Sequence, residues 1–227
     1  ASSYAHRFHV PLMLLPQHLT NGDIGQLANA LVKRRAKAVL IGPSVAVATS
    51  VETAFKLKKI TVVRVGGADR AETAAEIARR LKAAPGRAAV YAPLGGPSQF
   101  VALAAAYANA TGAPLLDVTS GAPKATLDAV AALNLAGGVA IGDSRDVSDA
   151  ALSQLPSVTR VIGKDLASTS FTLMRSLPPT TQPMLVESTS QLDAIALIAR
   201  SITGELQLLL NPGEPSTSFK AWITARA

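Results

Sequence analysis

The sequence predicts an α/β protein built from repeated βα units on mainly parallel sheets, and three observations carry that expectation. Short β-branched or Leu-rich runs alternate with helical patterns of about ten residues, the rhythm of βα units joined by right-handed crossovers. Blocks of this rhythm recur along the chain at nearly constant spacing. The composition is 48 % hydrophobic but only 4 % aromatic, so the core is layered from small aliphatic side chains, as suits helices laid on buried strands.

Taken in order, strands are expected at PLMLL (11–15), AVLI (38–41), ITVVRV (60–65), AAVYA (88–92) and PLLDV (114–118). Four more follow at GVAI (138–141), VTRVI (158–162), PMLVE (183–187) and LQLLL (206–210). Each run is short, is rich in branched or Leu side chains, and leads into a turn signal. Helical periods fill the intervals near 23–34, 49–57, 71–83, 98–110, 124–133, 147–154, 166–177, 190–202 and 216–225.

The chain also resembles itself. SSYAHRFHVPLML (2–14) aligns with AAYANATGAPLLD (105–117) at an offset of 103, and AVLIG (38–42) with GVAIG (138–142) at 100. Arg64, Gly67, Asp69 and Thr73 meet Arg160, Gly163, Asp165 and Thr169 at 96. SQLDAIALIARSITGELQLL (190–209) follows SQFVALAAAYANATGAPLLD (98–117) at 92. Small loop deletions between repeated elements produce such a drift. The expected organisation is a first unit over 1–83 without its opening strand, a complete unit over 84–179, and an incomplete third over 180–227. LPPTTQP (177–183) and AAPGR (83–87) are the expected linkers, because consecutive prolines cannot continue a helix.

Twenty-two Lys and Arg against fifteen Asp and Glu give a net charge of +7, a field that favours nucleic acid, a membrane surface or an acidic polysaccharide. The basic clusters KRRAK (33–37) and KLKK (56–59) carry no interleaved aromatics and no RNP-like or helix-turn-helix pattern, which argues against nucleic acid. Cysteine is absent, which excludes disulfides and thiolate metal sites. The opening ASSYAHRFHV is too polar for a signal peptide and carries no initiator Met, so the chain reads as a processed or trimmed segment. The most apolar window, 100–118, is broken by Asn109, Gly112 and Pro114 and reads as helix, turn and strand, not as a membrane span.

The motifs that carry chemistry are thin. Residues 66–71 read G-G-A-D-R-A, which lacks the third glycine of a dinucleotide fingerprint and puts an aspartate where a pyrophosphate would sit; no Walker motif exists, and no cofactor is expected. IGPSVA (41–46) faintly resembles a nucleophile elbow at Ser44, yet His6, His9 and His18 all precede it, and its counterpart IGDSRD (141–146) reads as a repeat's turn. His6 and His9 lack further ligands for a metal and are expected as surface or satisfied side chains of a frayed terminus. Asp143, Asp146 and Asp149 match no calcium loop; Asp143 or Ser144, and Ser148, are expected to cap the helix near 147. In VRVGGADRAET, Gly66 and Gly67 should make the turn and Asp69 should cap the next helix. Thr73 then packs one turn along, and Arg64 either pairs with an acid of a neighbouring unit or contacts a ligand.

VVRVGGADRAETAAEIA (62–78) resembles the signature of the cell wall-binding repeat 2 family, V-x-R-[IV]-x-G-x-D-R-x-x-T-A. VTRVIGKDLASTSFTLM (158–174) resembles a second copy, while GAPLLDV (112–118) and LDAIALIA (192–199) resemble the family's other segments. The second copy has Leu166 where the first has Arg70, and Ala71 stands where the family carries an aromatic. The resemblance implies a secreted bacterial surface protein with a Rossmann-like module, no cofactor and no catalysis. It implies non-covalent attachment to an anionic cell-wall polymer or peptidoglycan-associated glycan, and further domains elsewhere in a longer parent protein. The ligand-binding residues it implies are Arg64, Asp69, Arg70, Thr73, Arg160, Asp165 and Thr169, with arginine forks and helix N-termini matched to anionic oxygens. Two other readings stay open: a protein–protein scaffold at the envelope, and a cell-wall hydrolase fragment.

Overall fold

Every strand expected from residue 38 onward forms in the computed structural model. The structure describes residues 1–15, 19–82, 86–96, 98–119, 121–177, 183–187, 206–210, 221 and 224, with backbone alone for 183–187 and 206–210. The helices expected near 190–202 and 216–225, most of the two linkers, and His18 lie outside or largely outside these residues.

The elements run α1 (Ser2–Phe8), α2 (Asn21–Lys33), β1 (Ala38–Ile41), α3 (Thr49–Leu57), β2 (Val62–Val65), α4 (Arg70–Leu81), β3 (Ala88–Ala92) and α5 (Ser98–Thr111). They continue β4 (Leu115–Asp117), α6 (Lys124–Ala132), β5 (Gly137–Ile141), α7 (Asp149–Leu152), β6 (Val158–Val161), α8 (Leu166–Arg175), β7 (Pro183–Glu187) and β8 (Leu206–Leu210). All strand pairs are parallel: β1 with β2, then a four-stranded sheet in the order β4-β3-β5-β6, then β7 with β8. The pair β1–β2 repeats β5–β6 in register, Ala38 opposite Val62 as Gly138 is opposite Val158.

Alternation along β3 divides the central core into two layers. Val90 and Ala92 pack with Leu103, Ala106, Ile141, Leu173 and Met174 beneath α5 and α8. Ala89 and Tyr91 face the other way, into Ala75 and Ala78 of α4, Leu116, Ala129 of α6 and Ala140. The alanines keep helix and sheet close, and one aromatic fits only because β5 makes room. A Cβ on Gly138 would lie 2.6 Å from Cε2 of Tyr91. A separate cluster of Ile24, Ala28, Leu40, Val51 and Phe55 closes α2 and α3 over β1.

Two expectations near the N-terminus are corrected. Residues 11–15 form no strand. Their counterpart β4 exists because β3 lies beside it and completes a ladder. No strand among the described residues pairs with 11–15, and Met13 and Leu14 are exposed. The terminus before it is ordered helix and not frayed. α1 buries Ser2, Ser3 and Ala5, stacks Tyr4 on Phe8 at 4.5 Å, and ends in a left-handed His9 at φ 51°. It is the counterpart of the second half of α5, whose turn uses Gly112 at φ 64°. The helix expected at 147–154 is shorter, Asp149–Leu152, and is capped by Ser148.

Candidate ligand-binding site

β2 delivers Arg64 to the carboxyl end of its sheet, and the chain turns through Gly66 and Gly67 into α4. The turn is tight because β1 ends against it: a Cβ on Gly66 would lie 2.7 Å from the backbone of Gly42, and one on Gly67 would collide with Glu72. Three side chains at the start of α4 accept from amides of the turn and of the helix's first turn. Asp69 accepts from the Glu72 amide at 2.8 Å, Glu72 Oε2 from the Ala68 amide at 2.7 Å, and Thr73 Oγ1 from the Gly67 amide at 3.2 Å. A glycine turn at a helix N-terminus otherwise suits a phosphate. Here the Glu72 carboxylate fills that place.

Arg64 is engaged internally. Its Nε donates to Glu52 at 2.9 Å and its Nη1 to the Gly42 carbonyl at 3.1 Å, while Nη2 is buried without a hydrogen-bond partner among the described residues. The bonds from Lys56 and from Arg64 hold the Glu52 carboxyl below its ordinary pKa. The acid belongs to α3, within the same stretch 1–83 and not to a neighbouring unit.

The second copy repeats the arrangement with different partners. Arg160 Nη1 donates to the Gly142 carbonyl at 3.1 Å and Nη2 to Asp149 at 2.5 Å. Asp165 caps α8 by accepting from the Ser168 amide at 2.7 Å, Ser168 Oγ accepts from the Asp165 amide at 2.9 Å, and Thr169 accepts from the Gly163 amide at 2.8 Å. Thr169 is fully buried, and Leu166, in the place of Arg70, packs on the central core. The geometry therefore brings Arg64, Asp69, Arg70 and Thr73 together on one strand–turn–helix, and Arg160, Asp165 and Thr169 on another in a different sheet.

Arg70 differs from the rest. It is exposed, makes no ion pair among the described residues, and reaches across to the loop after β3, 3.8 Å from where a Cβ on Gly95 would sit. The hollow beside the glycine turn, by contrast, is lined by Glu72, Glu76 and Asp128 against Arg79 and Lys124, with Lys124 bonded to Asp128. At the end of β4, Asp117 accepts from the amides of Leu94 and Thr119, both at 2.9 Å, and from Thr119 Oγ1 at 2.6 Å. Donors that could hold an anion at the edge of the central sheet thus already hold a buried carboxylate. The sequence reading passed over Glu52, Glu72 and Asp117; the spacing of Glu72 three residues after Asp69 was the available signal.

These features define a repeated parallel α/β module whose glycine turns are closed by its own side chains. Residues 64–152 match the family Cell wall binding domain 2 (CWB2), the stretch that holds the first copy of the signature. In solved structures the fold recurs in Cwp6 from Clostridium difficile, at 19 % identity and TM-score 0.72, over 99 % of this chain and 36 % of that one. It recurs also in Cwp8 from Clostridium difficile, at 20 % identity and TM-score 0.69, over 97 % of this chain and 39 % of that one. The chain thus spans little more than a third of the length of either protein. No curated protein matches it. Among the described residues no helix is long and apolar enough to cross a membrane.

Proposed function

We propose that the chain is a non-catalytic module that attaches a secreted bacterial protein to its cell wall by binding an anionic wall polymer. The observation that carries this reading is the match of 64–152 to a cell wall binding domain. The net charge of +7 supplies the attraction. Of the residues named from the signature, Arg70 is the one free to meet the polymer, since its guanidinium stays charged at any working pH and offers a planar fork to anionic oxygens. Arg64 and Arg160 hold strand to strand, Asp69 and Asp165 cap helices, and Thr73 and Thr169 close the glycine turns; they act by keeping the turn in shape.

Sedimentation of the purified chain with isolated walls, with and without their anionic polymers, tests the reading. Binding should disappear when the polymers are stripped. Arg70→Gln should weaken co-sedimentation with an unchanged melting temperature, whereas full retention on stripped walls would overturn the polymer reading.

A further inference from the structure

A cavity of about 430 Å³ lies where the C-terminal ends of α1, α4 and α5 meet, and Arg7, Lys82, Arg87, His6 and His9 line it. Its size falls in the usual range for small-ligand sites, roughly 300–1,000 Å³. Among the described residues no Asp or Glu lines it. Elsewhere Arg64, Arg79, Arg80, Arg145 and Arg160 each meet a carboxylate, whereas Arg7, Lys82 and Arg87 form no salt bridge among the described residues.

Helix capping does not account for this gathering. Backbone amides already meet last-turn carbonyls of α1 and α5: Ala5 by Val10 at 3.1 Å, Ala108 by Ala113 at 2.9 Å, and Asn109 by Gly112 at 3.2 Å. Arg87 gives one long bond of 3.5 Å to the Thr111 carbonyl. Three helix C-termini contribute about half a negative charge each, less than the three permanent cations. Nor does the repeat require these residues. At an offset of 103, His6, Arg7 and His9 correspond to Asn109, Ala110 and Gly112, so the same helix end forms without them. His9 even keeps a side chain at φ 51°, in the left-handed region where its counterpart is glycine.

We propose that this cavity binds a phosphoryl group carried on a glycan. Converging cations without an acid leave a local positive potential that a compact anion with several acceptor oxygens satisfies, and guanidinium forks match phosphoryl oxygens. The glycan as carrier rests on the wall-binding reading above; the phosphoryl site stands on the cavity alone.

The test is titration of inorganic phosphate at constant ionic strength, followed by calorimetry and by the imidazole resonances of His6 and His9. Wild-type protein should bind saturably, Lys82→Gln/Arg87→Gln should bind at least tenfold more weakly with an unchanged melting temperature, and Lys58→Gln, away from the cavity, should bind as wild type. Absence of saturable binding, or equal affinity in the double variant, overturns the site. Wall sedimentation then separates the two sources. Competition by phosphate, together with weakened wall binding in the double variant, supports the glycan as carrier. Wall binding indifferent to both overturns the carrier and leaves a site for free phosphate. Phosphate binding by a chain that ignores walls altogether overturns the wall reading and not the cavity.

Discussion

Tyr91 is fully buried among alanines, and its hydroxyl finds no hydrogen-bond partner among the described residues. Burial pushes the phenol up from 10.0 to about 12. The neutral form is therefore favoured by folding; its contribution is complete below the ordinary tyrosine pKa and is lost as pH rises through 10 toward 12. Thermal melts should show wild-type stability falling across that window and Tyr91→Phe falling less. At neutral pH Tyr91→Phe should be neutral or stabilising by up to about 1 kcal/mol, because it removes an unpaired buried polar group; a clear loss would mean the hydroxyl has a partner. Arg64 makes the opposite case. Arg64→Gln should lower the melting temperature, since it takes from Glu52 one of its two donors and from the Gly42 carbonyl the donor it has. Glu52 titrates below its ordinary value partly because of this arginine, so the pair's contribution holds above the usual carboxylate pKa and declines as pH falls through the lowered one. That acid-side loss should shrink in Arg64→Gln when melts are compared between pH 6 and pH 3.

Glycines test the elements. Gly25 lies inside α2 with open space where a Cβ would stand, so Gly25→Ala should stabilise by roughly 0.5–1 kcal/mol through helix propensity. Gly138→Ala should destabilise strongly, because the new methyl meets both the Ala89 carbonyl and the Tyr91 ring. Chemical denaturation of the two variants beside wild type checks both signs. The same elements show what the sequence could tell. Strands β1 to β6 and their helices were legible because each run carries its own period and its own turn, and Asp69 was legible as a cap because capping is local. Residues 11–15 misled for a non-local reason: PLMLL has the composition of a strand, but a strand also needs a neighbour, and no local pattern reports one. α1 was missed because its helical seven residues are stabilised by packing on α4 and α5 and not by propensity. The partners of Arg64, and the meeting of Arg7 with Lys82 and Arg87, depend on contacts far apart in sequence, which spacing does not reveal.

For the whole molecule, the proposed electrostatic attachment predicts that wall binding depends on salt. Raising ionic strength from about 0.1 to 1 M shortens the Debye length from roughly 10 Å to 3 Å, and the fraction of protein pelleting with walls should fall steeply over that range. Retention at high salt would point to an apolar protein contact and favour a scaffold. One packing feature bears on the inheritance of such a chain. Helix α4 follows β2 in sequence, yet Ala75 and Ala78 lie in the core of the central sheet while Ile77 and Leu81 pack with Val65. α8 stands in the same relation to β8 that α4 has to β4. The central sheet and the β7–β8 pair are thus each packed against the helix that precedes them in the chain, and the match over 64–152 likewise begins at β2 and not at β3. A duplication or deletion that cut between α4 and β3 would leave a sheet without its roof. A frame that starts near residue 60 keeps α4 with the central sheet it covers, so the segment that packs as one piece is offset from the segment that looks, on paper, like the repeat.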